Sequence, residues 1–147
     1  MTARPIRRNA QTPDRNGKIF YTSTTSLSHI SKIAGLADTA FTQHDLKAAS
    51  MVEPLEQVVD ELKDALRTRH IQRLQSGVCS IDAGFVLSDL LTNLERVSDH
   101  CSNIAGCVLD AKDRNLNLHE SLSVYRKNSE DFKQAFASYR NKYALQA

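Results

Sequence analysis

Leu87, Leu90, Leu94, Val97, Cys101, Ile104 and Val108 recur at alternating steps of three and four residues, and the rhythm holds through three heptads. A strand alternates its faces every second residue, so only a helix puts these side chains on one side. A seam of this length must be covered, and it packs on neighbouring helices at a shallow crossing angle. The chain is therefore expected to supply further helices of similar length.

It does. Leu27, Ile30, Ile33, Ala37, Ala40 and Phe41 mark a first helix from near Ser26 to about Gln43. Leu55, Val59, Leu62 and Leu66 carry the stripe of a second, from about Leu46 to Gln75. Pro54 lies inside it and either kinks the helix or marks a fresh start, since proline is tolerated only in a first turn. The charge runs from acidic (Glu53, Glu56, Asp60, Glu61, Asp64) to basic (Lys63, Arg67, Arg69, His70, Arg73), which complements the helix dipole. Gly77 is a natural stop, and Ser80 or Asp82 can cap the third helix, expected from Ile81 to Ala111. After a polar break at Asp113 to Asn117, a fourth helix is expected from His119 to Tyr143, with a stripe of Leu122, Tyr125, Phe132, Phe136, Tyr139 and Tyr143. The expected fold is all-α: an up-and-down antiparallel bundle over residues 26–147, preceded by a basic tail over residues 1–25. That tail reads as a disordered leader, or as a basic arm for anionic lipid or a partner.

Composition excludes several classes. Five Gly and three Pro leave few breaks for a many-stranded β architecture. Without Trp and with 6% aromatics, aliphatic side chains and Ala must fill the core. A net charge of +2 and an acidic second and third helix argue against nucleic acid. The longest apolar stretches fall far short of the ~20 residues that span a bilayer. Three cysteines, Cys79, Cys101 and Cys107, with no apolar leader at the N-terminus fit free thiols in a reducing, cytoplasmic compartment.

Two segments repeat one pattern: Glu56-Gln-Val-Val-Asp60 on the second helix and Glu95-Arg-Val-Ser-Asp99 on the third. Carboxylates four apart project from one helix face and repel by roughly 0.2–0.5 kcal/mol. Both pairs lie at similar distances from the Gly77 turn, so an antiparallel hairpin should bring them to one height. The pairs stand off the third helix's seam, which puts any site on the bundle surface. Glu56, Asp60, Glu95 and Asp99 are the candidate metal ligands, since an oxygen-rich set suits magnesium, manganese, iron or zinc. The plain alternative is a solvated acidic face. Asp89, Asn93 and Asn103 could extend that face.

The residues around the pairs carry a resemblance. They are Val52-Glu-Pro-Leu-Glu-Gln-Val-Val-Asp-Glu-Leu-Lys63, Arg69-His-Ile-Gln-Arg-Leu-Gln-Ser-Gly-Val-Cys79 and the run from Gly84 to Ala105 with Leu94-Glu-Arg-Val-Ser-Asp-His100 at its centre. From about Leu27 to Leu145 the chain resembles the PhoU-like domain, in particular the cytoplasmic C-terminal region of bacterial sodium/phosphate cotransporter family proteins. The resemblance implies a single three-helix repeat that regulates phosphate uptake, catalyses no reaction and binds iron, zinc or a similar ion at Glu/Asp-x-x-x-Asp motifs. By position these motifs are Glu56 with Asp60 and Glu95 with Asp99. It implies a membrane phosphate transporter or its transport domain as partner, a place at the inner face of the cell membrane, and a second repeat or second copy as neighbour. The chain departs from the pattern in lacking the transport domain and the preceding repeat, so transport itself is not expected of it.

Other residues have plainer readings. Arg67, Arg69, His70 and Arg73 could bind phosphate or a transporter loop, but the helix dipole accounts for them. Cys101 is a packing residue and Cys79 a loop thiol, with metal or redox chemistry as its alternative. His100 points away from Asp99 by about 100° on a helix. A di-iron carboxylate enzyme needs Glu-x-x-His on two helices, and no Glu here has a His three residues on. A metal-free helical adaptor for protein contacts remains the rival to the regulatory reading.

Overall fold

The computed structural model describes residues 13–113 and 118–145, with side chains over 28–111 and 122–145. Five helices follow one another: α1 (Pro13–Gln43), α2 (Leu46–Gln75), α3 (Ile81–Asp113), α4 (Leu118–Asn128) and α5 (Glu130–Lys142). No strand occurs among the described residues. α1, α2 and α3 pack on one another as an up-and-down trio, α5 lies along α2, and α4 reaches both α3 and α2. No helix among the described residues is long and apolar enough to cross a membrane.

The turns explain the topology. His44 takes a left-handed conformation (φ 53°) between α1 and α2. Asp45 then caps α2, its Oδ1 accepting the backbone N–H of Lys47 at 2.9 Å and of Ala48 at 3.1 Å. At the other end Gly77 (φ 69°) supplies the left-handed residue of a Schellman stop. Its N–H donates to Leu74 O at 3.0 Å while Val78 N–H donates to Arg73 O, also at 3.0 Å.

α2 is the central element. Val52, Leu55, Val58 and Leu62 join Ile33, Ala37 and Ala40 of α1, Cys101 and Ala105 of α3, and Ala135 and Tyr139 of α5 in one core. Full burial of Ile33 and Leu55 contributes roughly 1.5–3 kcal/mol each. The alanines at the helix contacts let the backbones approach closely. The whole expected stripe of α2, including Val59 and Leu66, is buried.

Three expectations need correction. α1 begins at Pro13 rather than near Ser26; residues 1–12 of the expected tail lie outside the described residues. The single C-terminal helix is two, because Ser129 turns out of the helix and caps α5, its Oγ accepting Phe132 N–H at 3.2 Å. The buried side of α3 is also rotated from the expected seam. Leu91, Ser98, Cys101, Ser102 and Ala105 are buried, whereas Val97 and Ile104 are 41% and 42% exposed. Small and polar side chains let α3 close on α2, and a hydrophobic pattern does not register serines.

Candidate functional site

Glu53, Glu56 and Asp60 recur at three and four residues and form an acidic stripe on α2 that faces α3 and α4. Glu53 is 2% exposed. A carboxylate so placed is tolerable only when its oxygens are matched. Its Oε2 accepts from Ser102 Oγ of α3, and its Oε1 accepts from Arg126 Nε of α4. Arg126 also reaches Glu56, with Nη2 3.4 Å from Oε2. One guanidinium thus serves two carboxylates. Burial, and next the negative charges of Glu53 and Asp60, push the Glu56 carboxyl up to about 7 despite Arg126 and the Gln57 amide.

One turn further along, Lys63 spans the hairpin. Its Nζ lies 2.6 Å from Glu95 Oε1 of α3 and 3.1 Å from Asp60 Oδ1. The Lys63 side chain is only 12% exposed. Burial works against its charge, but the hydrogen bonds to Glu95 and Asp60 outweigh that and hold the ammonium above the usual lysine range. Asp60 and Glu95 are therefore brought together with a cation between them. Glu56, although buried rather than on the surface, is engaged by Arg126, and Asp99 is exposed. Among the described residues no three His, Cys, Asp or Glu side chains gather closely enough to hold a metal ion. As placed, Asp60 and Glu95 meet at Lys63, while Glu56 turns to Arg126 and Asp99 stays on the exposed side of α3.

This stripe and the Leu94–His100 segment lie within residues 27–108, and those residues match the family model of the PhoU domain. The match covers more than half of the 147 residues. The chain belongs to the PhoU domain family. No curated protein and no solved structure matches it. The helical bundle expected from the resemblance is the fold this PhoU domain has.

The α2–α3 end of the PhoU domain holds a second polar contact. Cys79 Sγ lies 3.6 Å from Nδ1 of the buried His70. Gly84 is the residue that admits the ring, since a Cβ there would stand 2.6 Å from His70 Nε2. Of the basic run, Arg67 lies 4.0 Å from Asp64, and Arg69 Nη2 donates to Leu145 O at 3.4 Å. His100 and Asn103 are exposed, and Asn93 donates to Asp89 O at 2.9 Å, so neither asparagine is seen joining the acidic pairs. Cys101 is buried, which pushes its thiol up. His29, fully buried with its Nε2 unpartnered, borders a cavity of about 20 Å³ together with Lys63, Leu66, Leu91 and Leu94. That is room for about one water molecule.

Sequence reasoning placed Glu53 and Lys63 only in the charge gradient of the second helix, without a site role, and did not single out Ser102 or Arg126. The first two had a signal. Glu53 extends the Glu56–Asp60 spacing by three residues, and Lys63 follows Asp60 by three, within ion-pair reach on a helix. Arg126, on α4, carries no such signal, because only the tertiary fold brings it to α2.

Proposed function

We propose that this PhoU domain is a non-catalytic regulator of phosphate uptake and homeostasis, acting on a membrane phosphate transporter from the cytoplasmic side. The match over the second half of α1, all of α2 and most of α3 is the observation that carries this reading. Its support from geometry is twofold. Glu53, Glu56 and Glu95 are tied up in ion pairs between helices, and Asp60 shares the Lys63 ammonium with Glu95, which suits a rigid scaffold. The outer side of α3 leaves Val86, Val97 and Ile104 exposed on a helix whose other side is packed, which suits a protein contact.

The transporter, a second PhoU repeat or a second copy of the chain would meet that side. The test is phosphate uptake by cells expressing a sodium/phosphate transport domain with and without this chain, alongside co-purification of the two. Uptake that responds to the native chain and not to Val97→Asp supports the proposal. Unchanged uptake with no co-purification would move the reading to the rival helical adaptor with no part in phosphate handling.

A further inference from the structure

The acidic stripe poses an electrostatic problem whose solution is visible. Glu53, Glu56 and Asp60 crowd one side of α2, and Glu95 faces them from α3. Like charges at helical spacings repel, and the repulsion grows where side chains are shielded from water. A proton held on Glu56, whose carboxyl is pushed up, relieves part of this, and a cation among the other carboxylates relieves the rest. That cation can be an ion taken from solution or a side chain of the protein.

Lys63 already stands at the position a bridging ion would need. A metal ion between Asp60 and Glu95 requires oxygen distances of roughly 2.0–2.6 Å. The Lys63 ammonium sits 3.1 Å and 2.6 Å from those same oxygens, and two positive centres cannot share the notch. Lys63 has no cheap exit either. Lys63 helps line the small cavity with Leu62, Leu66, Leu91, Leu94 and His29, and its departure would open that cavity further. Arg126 does the corresponding work one turn earlier, where Glu53 is also held by Ser102. Asp99, on the exposed side of α3, is not drawn to either cation.

We infer that Lys63 and Arg126 are the resident counter-ions of the acidic stripe, so that the α2–α3 and α2–α4 contacts close without a bound metal ion. This inference concerns charge balance within the chain and stands apart from the transporter reading; uptake experiments leave it untouched. Lys63 is a positioning residue: it fixes Asp60 against Glu95 and thereby α2 against α3.

The test begins with the native chain. Elemental analysis after purification without chelator is expected to find well under 0.1 equivalent of iron, zinc or manganese. The melting temperature should be the same in EDTA, in buffer and with Mn²⁺, Zn²⁺ or anaerobic Fe²⁺ added at tenfold excess. Stoichiometric metal, or melting that drops in EDTA, overturns the inference. The second arm compares Lys63→Arg, which keeps the charge, with Lys63→Met, which keeps most of the stem. Lys63→Met is expected to melt several degrees lower, with Lys63→Arg between it and the native chain. Equal melting of all three would show that the ammonium balances nothing, and would also overturn it. If Lys63→Met does not fold, the native-chain measurements still decide whether an ion is needed.

Discussion

Pro54 should make α2 depend on a hydroxyl from α4. Inside a helix each N–H donates to the carbonyl four residues back, and proline has no N–H to give. The carbonyl deprived by Pro54 is that of Ser50. The Tyr125 hydroxyl donates to Ser50 O at 2.9 Å, filling the vacancy from another helix. Burial pushes the Tyr125 phenol up, so it stays a donor throughout the neutral range. Tyr125→Phe removes that donor and leaves a half-buried carbonyl without one. The net worth of such a bond is about 0.5–1.5 kcal/mol, and an unsatisfied buried acceptor costs about 1–3 kcal/mol. A loss of about 1.5 kcal/mol is expected. In a Pro54→Ala background the restored N–H can serve Ser50, and Tyr125→Phe should then cost under about 0.5 kcal/mol. The sign of Pro54→Ala by itself does not enter, because the double-mutant cycle cancels its packing loss. Urea unfolding of the four proteins, at unchanged m values, measures the coupling. Equal costs for Tyr125→Phe in both backgrounds would refute the reasoning.

Arg126→Ala should cost about 2–3 kcal/mol in urea unfolding, below the ~3–5 kcal/mol of a fully buried pair because Arg126 is 40% exposed, while Lys127→Ala next to it should change little. Gly84→Ala pushes a methyl group against His70 and should cost on the order of 1 kcal/mol, whereas Gly35→Ala, with open space around it in mid-helix, should stabilise by about 0.5–1 kcal/mol. Two buried groups tilt stability with pH in opposite senses. The Glu56 carboxyl is raised to about 7 from 4.5, so its contribution is fully present below pH 4.5 and is lost as the pH climbs to 7. His29 is lowered to about 4 from 6.5, chiefly by burial and then by Lys142, so its contribution is present above pH 6.5 and is lost as the pH falls toward 4. Between pH 4.5 and 6.5 the two slopes oppose each other. Glu56→Gln should make stability climb more steeply with pH there, and His29→Gln should make it fall; variants that keep the native slope in urea titrations at several pH values would contradict both assignments.

The elements that were legible from sequence are those whose burial is apolar and periodic. α2 buries Leu55, Val59, Leu62 and Leu66 as its spacing requires, and α1 buries Ile33, Ala37 and Ala40. α3 shows where that reasoning stops. Its apolar residues spread wider than one seam, so periodicity identifies a helix without saying which edge of the stripe faces inward. Ser98 and Ser102 lie on the side that is buried, and Ser102 is matched there by Glu53 across the interface, a long-range polar contact with no local signature. The Ser129 break was missed for a related reason, since a serine cap without Gly or Pro looks like any polar residue on a helix surface. The acidic pairs were visible as pairs, but their cations were not: Lys63 reads as one more surface lysine until α3 brings Glu95 to it.

A common logic ties these misses together. α2 is a poor helix judged alone: it carries a proline in its interior and a fully buried carboxylate one residue before it. Both defects lie on the same turn, and both are met by two adjacent residues of α4. Tyr125 supplies a hydrogen-bond donor for Ser50 O, and Arg126 supplies the charge for Glu53 and Glu56. α4 has 11 residues, too few to be stable as an isolated helix, so it in turn depends on this docking. Neither element is comfortable without the other. Losing Tyr125 and Arg126 together should therefore do more than weaken two contacts: α4 should lose its protection against amide exchange while α1 and α2 keep theirs. Uniform loss of protection across all helices would mean that α4 unfolds only with the whole bundle, and that its docking is part of one cooperative core.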